Sequence, residues 1–203
     1  MEIVERSIAK PEDSDLLRFV DVITTTRMVK VIDNAVRTVE NFPTAGVKFR
    51  DLTTVWKDTE AFRASASALH LLLQKDSVKI DKIVGLEARG FVYAALLADR
   101  LNKPFVPARK GGKLPAASVY SEYNTEYNKQ EIGIHLDAIT PGERIVIVDD
   151  LIATGGSVLA TIECIKQLQG EILMVVALAD LTDLNGKDIL RQAGYETYTV
   201  LSY

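Results

Sequence analysis

Apolar positions recur along the chain at two spacings, one helical and one extended. Met28, Ile32, Val36 and Val39 share a helical face. They predict a helix that opens on the threonine run at 24–26 as its N-cap and stops at Asn41-Phe42-Pro43. Phe62, Ala66, Leu69 and Leu73 mark a second helix. Beyond it strand and helix alternate. Residues 82–85 and 105–107 read as strands with a helix at 91–101 between them. Residues 145–148 are four consecutive β-favouring positions after a Pro141-Gly142 turn, the pattern of a strand buried on both faces. A helix at 157–169 turns Val158, Ile162, Ile165 and Leu168 inward and stops at Gly170; strands at 172–179 and 198–201 complete the pattern. Strands separated by helices imply an α/β fold with a central, mostly parallel sheet flanked by helices on both faces. Ligands of such sheets bind at the C-terminal strand ends.

The odd stretch is 1–21, with six acids against three bases. It is expected to be an extension lying on the body through Leu16, Leu17, Phe19 and Val20. The full chain of 203 residues, 47% apolar and 26% charged, has the composition of one globular domain. A net charge of -4 argues against a nucleic-acid binder. No apolar run is long enough to span a membrane, and Glu2 and Glu5 are unlike the start of a secretory signal. One cysteine, Cys164, permits no intrachain disulfide. It and Trp56 read as packing residues. A soluble protein of a reducing compartment is expected, with no nucleic-acid or membrane partner.

The densest chemistry lies in IVIVDDLIATGGS at 145–157. A buried strand delivers Asp149 and Asp150, and Ala153, Thr154, Gly155, Gly156 and Ser157 then form a loop at a helix start. Backbone N–H groups and the positive helix end suit a phosphate there, and Thr154 and Ser157 add hydroxyls. A side chain at Gly155 would be expected to obstruct that phosphate. The same loop, taken alone, is equally a tight strand-to-helix turn. The two carboxylates would repel a phosphate unless they serve ribose hydroxyls or a Mg²⁺ ion, so the segment suits a ribose 5-phosphate. Neither a P-loop string nor a dinucleotide-binding glycine string is present.

This segment resembles the phosphoribosyl-diphosphate signature of the type I phosphoribosyltransferases. Four further segments carry the resemblance over roughly residues 27–203: FPTAGVKFRDLT at 42–53, GLEARGF at 85–91, ARKGGKLP at 108–115 and SEYNTEY at 121–127. Within the family, the first and last are similar to those of members that take adenine. The resemblance implies a type I phosphoribosyltransferase fold in which 1–26 is an extension, about 27–55 a hood over the base and about 109–127 a flexible lid. It implies transfer of a 5-phosphoribosyl group from its 1-diphosphate to adenine, giving AMP and diphosphate, in the cytoplasm and as a homodimer. Mg²⁺ would be held mainly by the substrate's diphosphate and ribose, with no metal site made of protein side chains alone.

By the same resemblance, Glu126 handles the adenine ring proton, and Asp149 and Asp150 hold the ribose. Glu87, Ala88 and Arg89 meet the diphosphate, with a non-proline cis peptide before Ala88. Arg109, Lys110 and Lys113 join them, Arg109 reaching the neighbouring subunit's site, and Tyr127 helps close the lid. Phe49 stacks on the base, Arg50 lines its pocket and the Lys48 backbone meets its edge. Read without the resemblance, Arg89 pairs with Glu87 or another surface acid, Phe49 is as readily a core anchor under a loop as a base-stacking residue, and 108–127 is either a solvated hairpin or a mobile lid. Ala45 stands where the family often has proline, and Lys48 where it is commonly apolar. Two other functions fit the same fold: a sister transferase for a 6-oxopurine, whose site needs donors where adenine's 6-amino group needs acceptors, and a ligand-sensing regulator, which would add a basic DNA-binding module.

Overall fold

The first helix, α1 (Val22–Ala35), is capped by Asp21. Its carboxylate accepts the Thr24 N–H at 2.9 Å and the Thr24 hydroxyl at 2.8 Å, which satisfies a first-turn donor that has no helical partner. The threonine run therefore lies inside the helix, not at its cap. The helix also ends sooner than its apolar spacing predicts. The Thr54 hydroxyl donates to the Ala35 carbonyl at 2.6 Å and accepts the Arg37 N–H at 3.0 Å. Those two bonds take the backbone groups that a further helical turn would use. Val36 is the cap, and Val39 belongs to a strand, β1 (Arg37–Glu40). β1 pairs antiparallel with β2 (Lys48–Asp51) as a separate two-stranded sheet.

These elements come from a computed structural model that describes residues 10–18, 20–74, 79–124 and 129–203. After a single turn, α2 (Thr53–Trp56), comes α3 (Thr59–Leu72), whose cap Asp58 accepts the Ala61 N–H. The main sheet has seven strands: β3 (Lys82–Leu86), β4 (Phe105–Lys110), β5 (Ser118–Asn124), β6 (Lys129–His135), β7 (Arg144–Ile152), β8 (Glu171–Asp180) and β9 (Thr197–Ser202). They lie in the order β5-β6-β4-β3-β7-β8-β9. The five from β4 to β9 run parallel, and β5 and β6 run antiparallel at one edge. Three more helices, α4 (Gly90–Leu101), α5 (Gly156–Gln167) and α6 (Gly186–Gln192), connect them.

Strand alternation divides the core in two. Val146 and Val148 of β7 join Val176 and Leu178 of β8 under α1, α3 and α4. Ile145 and Ile147 join Val175 and Ala177 on the face of α5, with Val158, Ile162 and Ile165. Both faces of β7 are thus covered, as its continuous apolar run predicts. Cys164 is buried in this second core, where burial pushes its thiol up to about 11. Trp56 packs edge-on against Tyr93 and donates Nε1–H to its hydroxyl at 3.2 Å.

The β5–β6 hairpin is more regular and better buried than either reading of 108–127 expects. Residues 118–124, assigned to a lid with little to bury, form a strand against β6, which buries Ile132 and Ile134 and pairs with Arg109 and Lys110 of β4. In the N-terminal segment, short 3₁₀ turns at Pro11–Asp13 and Asp15–Arg18 bring Leu16 into full burial and Val20 onto the core. Phe19, expected to pack beside them, lies outside the described residues.

Candidate functional site

Parallel pairing puts the C-terminal ends of β3, β4 and β7 on one edge of the sheet, and three loops leave from it. The loop after β7 carries Ala153 and Thr154. Gly155 takes φ +79° and caps α5. The first-turn N–H groups at Gly156 and Ser157 have no intrahelical carbonyl and point outward. A Cβ on Gly155 would lie 3.1 Å from the Gly186 carbonyl and 3.5 Å from Leu190 Cγ. A side chain there would therefore press on α6 and would not fill an anion's place, which corrects the expectation from sequence.

Asp149 and Asp150 lie in the last turns of β7 before this loop. Asp149 Oδ1 accepts the Asp150 N–H at 2.8 Å. Asp150 is 3% exposed, and its Oδ2 lies 2.5 Å from Arg89 Nε in a close ion pair that is not an aligned hydrogen bond. Burial pushes both carboxyls above the usual carboxylate range. At Asp149 the neighbouring Asp150 charge adds to the rise, while at Asp150 the Arg89 guanidinium opposes it.

Arg89 caps α4 in the loop after β3, and the Glu87–Ala88 peptide before it is cis. Its partner is Asp150, so neither the Glu87 pairing nor an exposed acid accounts for it. Glu87 turns to β4 instead, accepting the Lys110 N–H at 3.0 Å and Arg109 Nε–H at 3.2 Å. Burial works to raise the Glu87 carboxyl, but these two donors outweigh it and hold the group below its ordinary value. Arg109 also donates to the Lys113 carbonyl at 3.0 Å. Ala88, Lys110 and Lys113 are exposed. Asp149, Asp150, residues 87–89, Arg109, Lys110, Lys113 and 153–157 thus share one edge, where three carboxylates sit among four cations and a helix N-terminus.

The hood residues sit apart, in the β1–β2 hairpin. Lys48 is exposed, and Phe49 is half-buried with its ring edge-on to Phe42 at 5.1 Å. Arg50 is buried, its Nη1–H on the Thr38 hydroxyl at 2.7 Å and its guanidinium 4.3 Å above the Tyr203 ring. Among the described residues no hydrogen bond or ion pair links these three to the sheet edge. Glu126 and Tyr127 lie outside the described residues. Sequence reading missed Gly186, which backs the phosphate loop, and Tyr123, whose hydroxyl is pushed up by burial and by the nearby Asp149 charge. Gly186 belongs to none of the quoted segments, and Tyr123 lies within SEYNTEY but was given no role there.

A family description, the phosphoribosyl transferase domain, matches residues 55–191. The adenine phosphoribosyltransferase of Halothermothrix orenii is 47% identical over 169 residues, which cover 82% of this chain and 95% of that one. The one from Roseobacter denitrificans is 42% identical, with 86% and 98% covered. Among solved structures, the adenine phosphoribosyltransferase of Rhodothermus marinus superposes with a TM-score of 0.80 at 39% identity, over 88% of this chain and 99% of that one. The Saccharomyces cerevisiae enzyme, solved in complex with adenine and an imino-altritol bisphosphate, gives 0.80 at 36%, over 87% and 99%.

Proposed function

The chain belongs to the phosphoribosyl transferase family, among the adenine phosphoribosyltransferases, and on that premise we propose that it transfers the 5-phosphoribosyl group of phosphoribosyl diphosphate to adenine, giving AMP and diphosphate. The observation that carries the reading is the shared sheet edge, where the Asp149–Asp150 pair stands between a helix-start loop fit for a phosphate and the Arg89 loop fit for a diphosphate.

In this reading the N–H groups and hydroxyls of 153–157 hold the 5-phosphate. Asp149 and Asp150 accept from the ribose hydroxyls. Arg89, Arg109 and Lys113 balance the charge on the departing diphosphate, and Glu87 aims Arg109. The C1–O bond breaks with its electron pair going to diphosphate, and the N9 lone pair of adenine takes its place at C1. The sugar gains oxocarbenium character on the way, so rate depends on charge placement and positioning more than on a side-chain nucleophile. Phe49 stacks on the base, and the Lys48 backbone meets its edge. Arg50, held by Thr38 and Tyr203, forms the hood's rigid floor. The segment of about 109–127 is the lid that closes over the substrates and excludes water. Glu126, within that stretch of sequence, takes charge of the N7 proton as N9 bonds to the sugar.

The Asp149–Asp150 pair, with no cluster of three ligating side chains among the described residues, fits Mg²⁺, which takes one or two carboxylates and fills its shell from phosphate oxygens and water. Asp149 and Asp150 would hold it through the ribose, and when bound it supplies positive charge to the diphosphate. The enzyme acts in the cytoplasm in purine salvage, as a homodimer. No helix among the described residues is long and apolar enough to cross a membrane.

The test is AMP formation by the purified protein from adenine, donor and Mg²⁺. Glu126→Leu should keep donor binding and lose most of that synthesis. A wild-type protein that makes no AMP overturns the function; undiminished synthesis by Glu126→Leu removes that residue from the mechanism.

A further inference from the structure

The N-terminal segment carries a buried carboxylate with unusually many partners. Asp15 is 8% exposed. Both of its oxygens accept from Arg191 Nη2, at 3.0 and 3.1 Å, and Oδ2 also accepts the Thr199 N–H of β9 at 2.9 Å. Lys187 Nζ stands 3.6 Å away. Arg191 and Lys187 are one helical turn apart on α6, so this one side chain faces both cations of that helix; it is hydrogen-bonded to Arg191, while Lys187 sits closer to Asp180, at 3.0 Å. The remaining bonds of the two run to β8 and β9: Lys187 to Asp180 and Thr199, Arg191 to the Thr197 carbonyl.

The other end of α6 abuts the phosphate loop. The Gly186 N–H donates to the Ala153 carbonyl at 3.1 Å. A Cβ on Gly186 would lie 2.2 Å from that oxygen and 2.7 Å from Gly155 N, so the two backbones touch with no room for a side chain. Leu190 of α6 stands against Gly155 as well. A displacement of α6 is therefore transmitted to the loop through main chain, with no flexible side chain to absorb it.

We propose that Asp15 is a positioning residue for the donor: by fixing Arg191 it sets α6, and α6 sets the phosphate loop. The segment before the domain is then part of the apparatus that binds phosphoribosyl diphosphate, although it does not touch it. The inference rests on reading 153–157 as the donor's phosphate site.

The test compares Asp15→Asn with Leu16→Ala in the full chain. Both loosen the segment, but only the first takes the paired charge from Arg191, while Lys187 keeps Asp180. Kinetics with each substrate varied, donor binding by titration calorimetry and thermal melting are read together. Asp15→Asn should raise the donor KM and Kd roughly tenfold, the effect of a sub-ångström displacement where a full ångström can cost about a hundredfold, with the adenine KM unchanged. Leu16→Ala should lower the melting temperature and leave the donor KM alone. If Asp15→Asn does not fold, Arg191→Gln removes the same contact from the α6 side and is read in the same way. A folded Asp15→Asn enzyme with wild-type donor affinity overturns the inference, as does a Leu16→Ala enzyme whose donor KM rises equally. Wild-type protein that binds no phosphoribosyl diphosphate overturns the donor-site reading and this inference together.

Discussion

Asp149 and Asp150 stood out in the sequence as site candidates because two adjacent carboxylates at a buried strand end have no packing purpose. Their partner was not, because Arg89 lies in another loop and nothing local distinguishes Asp150 from Glu87 as its acid. The same limit hid Tyr203, which supports Arg50 only through the fold. Burial of the pair has a consequence for stability. A carboxyl raised above its ordinary 3.8 binds its proton more tightly in the folded chain than in the unfolded one. That contribution is full at low pH and is lost as pH climbs from the unfolded value through the raised one. At pH 7.5 the like-charged, buried pair therefore destabilises the ligand-free protein. Asp149→Asn should raise its melting temperature at pH 7.5 by about 2–4 °C, change it little near pH 4, and lower kcat. Asp150→Asn strips Arg89 of its partner, so it should lower kcat without that gain. Calorimetry at the two pH values checks both, and a lower melting temperature for Asp149→Asn at pH 7.5 would contradict the account.

At the scale of elements, what the sequence declared most clearly was whatever a run of branched residues or an amphipathic face imposes by itself. β7, β8 and α5 are of this kind, since their patterns need no partner to be read. The end of α1 was illegible because Thr54, 17 residues beyond Arg37, decides it. The β6 strand went unread because its apolar content, Ile132 and Ile134, is short and embedded in polar residues that suggest a loop. Pairing of β3 with β7 shows how an ion pair fixes two such elements. Asp81 accepts both the N–H and the Nε–H of Arg144 at 3.0 Å. Those bonds hold its carboxyl at about 2. A group lowered in this way stabilises the fold above its unfolded value of 3.8 and ceases to as pH falls toward 2. Asp81→Asn should therefore melt earlier than wild type at pH 7, with a gap that closes between pH 4 and pH 2. Melting curves across that range test it; a gap independent of pH would assign the effect to packing.

For the whole molecule, the remaining question is whether one chain completes the site. Within its own chain Arg109 is engaged by Glu87 and the Lys113 carbonyl on an open edge of the site. The proposed homodimer places it against the partner's diphosphate. Inactive Arg109→Ala and Asp150→Ala chains, unfolded together and refolded, should then regain about a quarter of wild-type activity, because roughly half of the dimers are mixed and each has one intact site. No recovery from chains shown to have exchanged would confine Arg109 to its own subunit. The central claim is the base itself. Purified protein with phosphoribosyl diphosphate and Mg²⁺ is offered adenine, hypoxanthine, guanine and xanthine separately, and nucleotide formation is followed. Adenine should be preferred to hypoxanthine by at least about two decades in kcat/KM, since a pocket built for one hydrogen-bond pattern leaves buried groups unpaired with the other. Comparable turnover of the two bases would contradict the assignment.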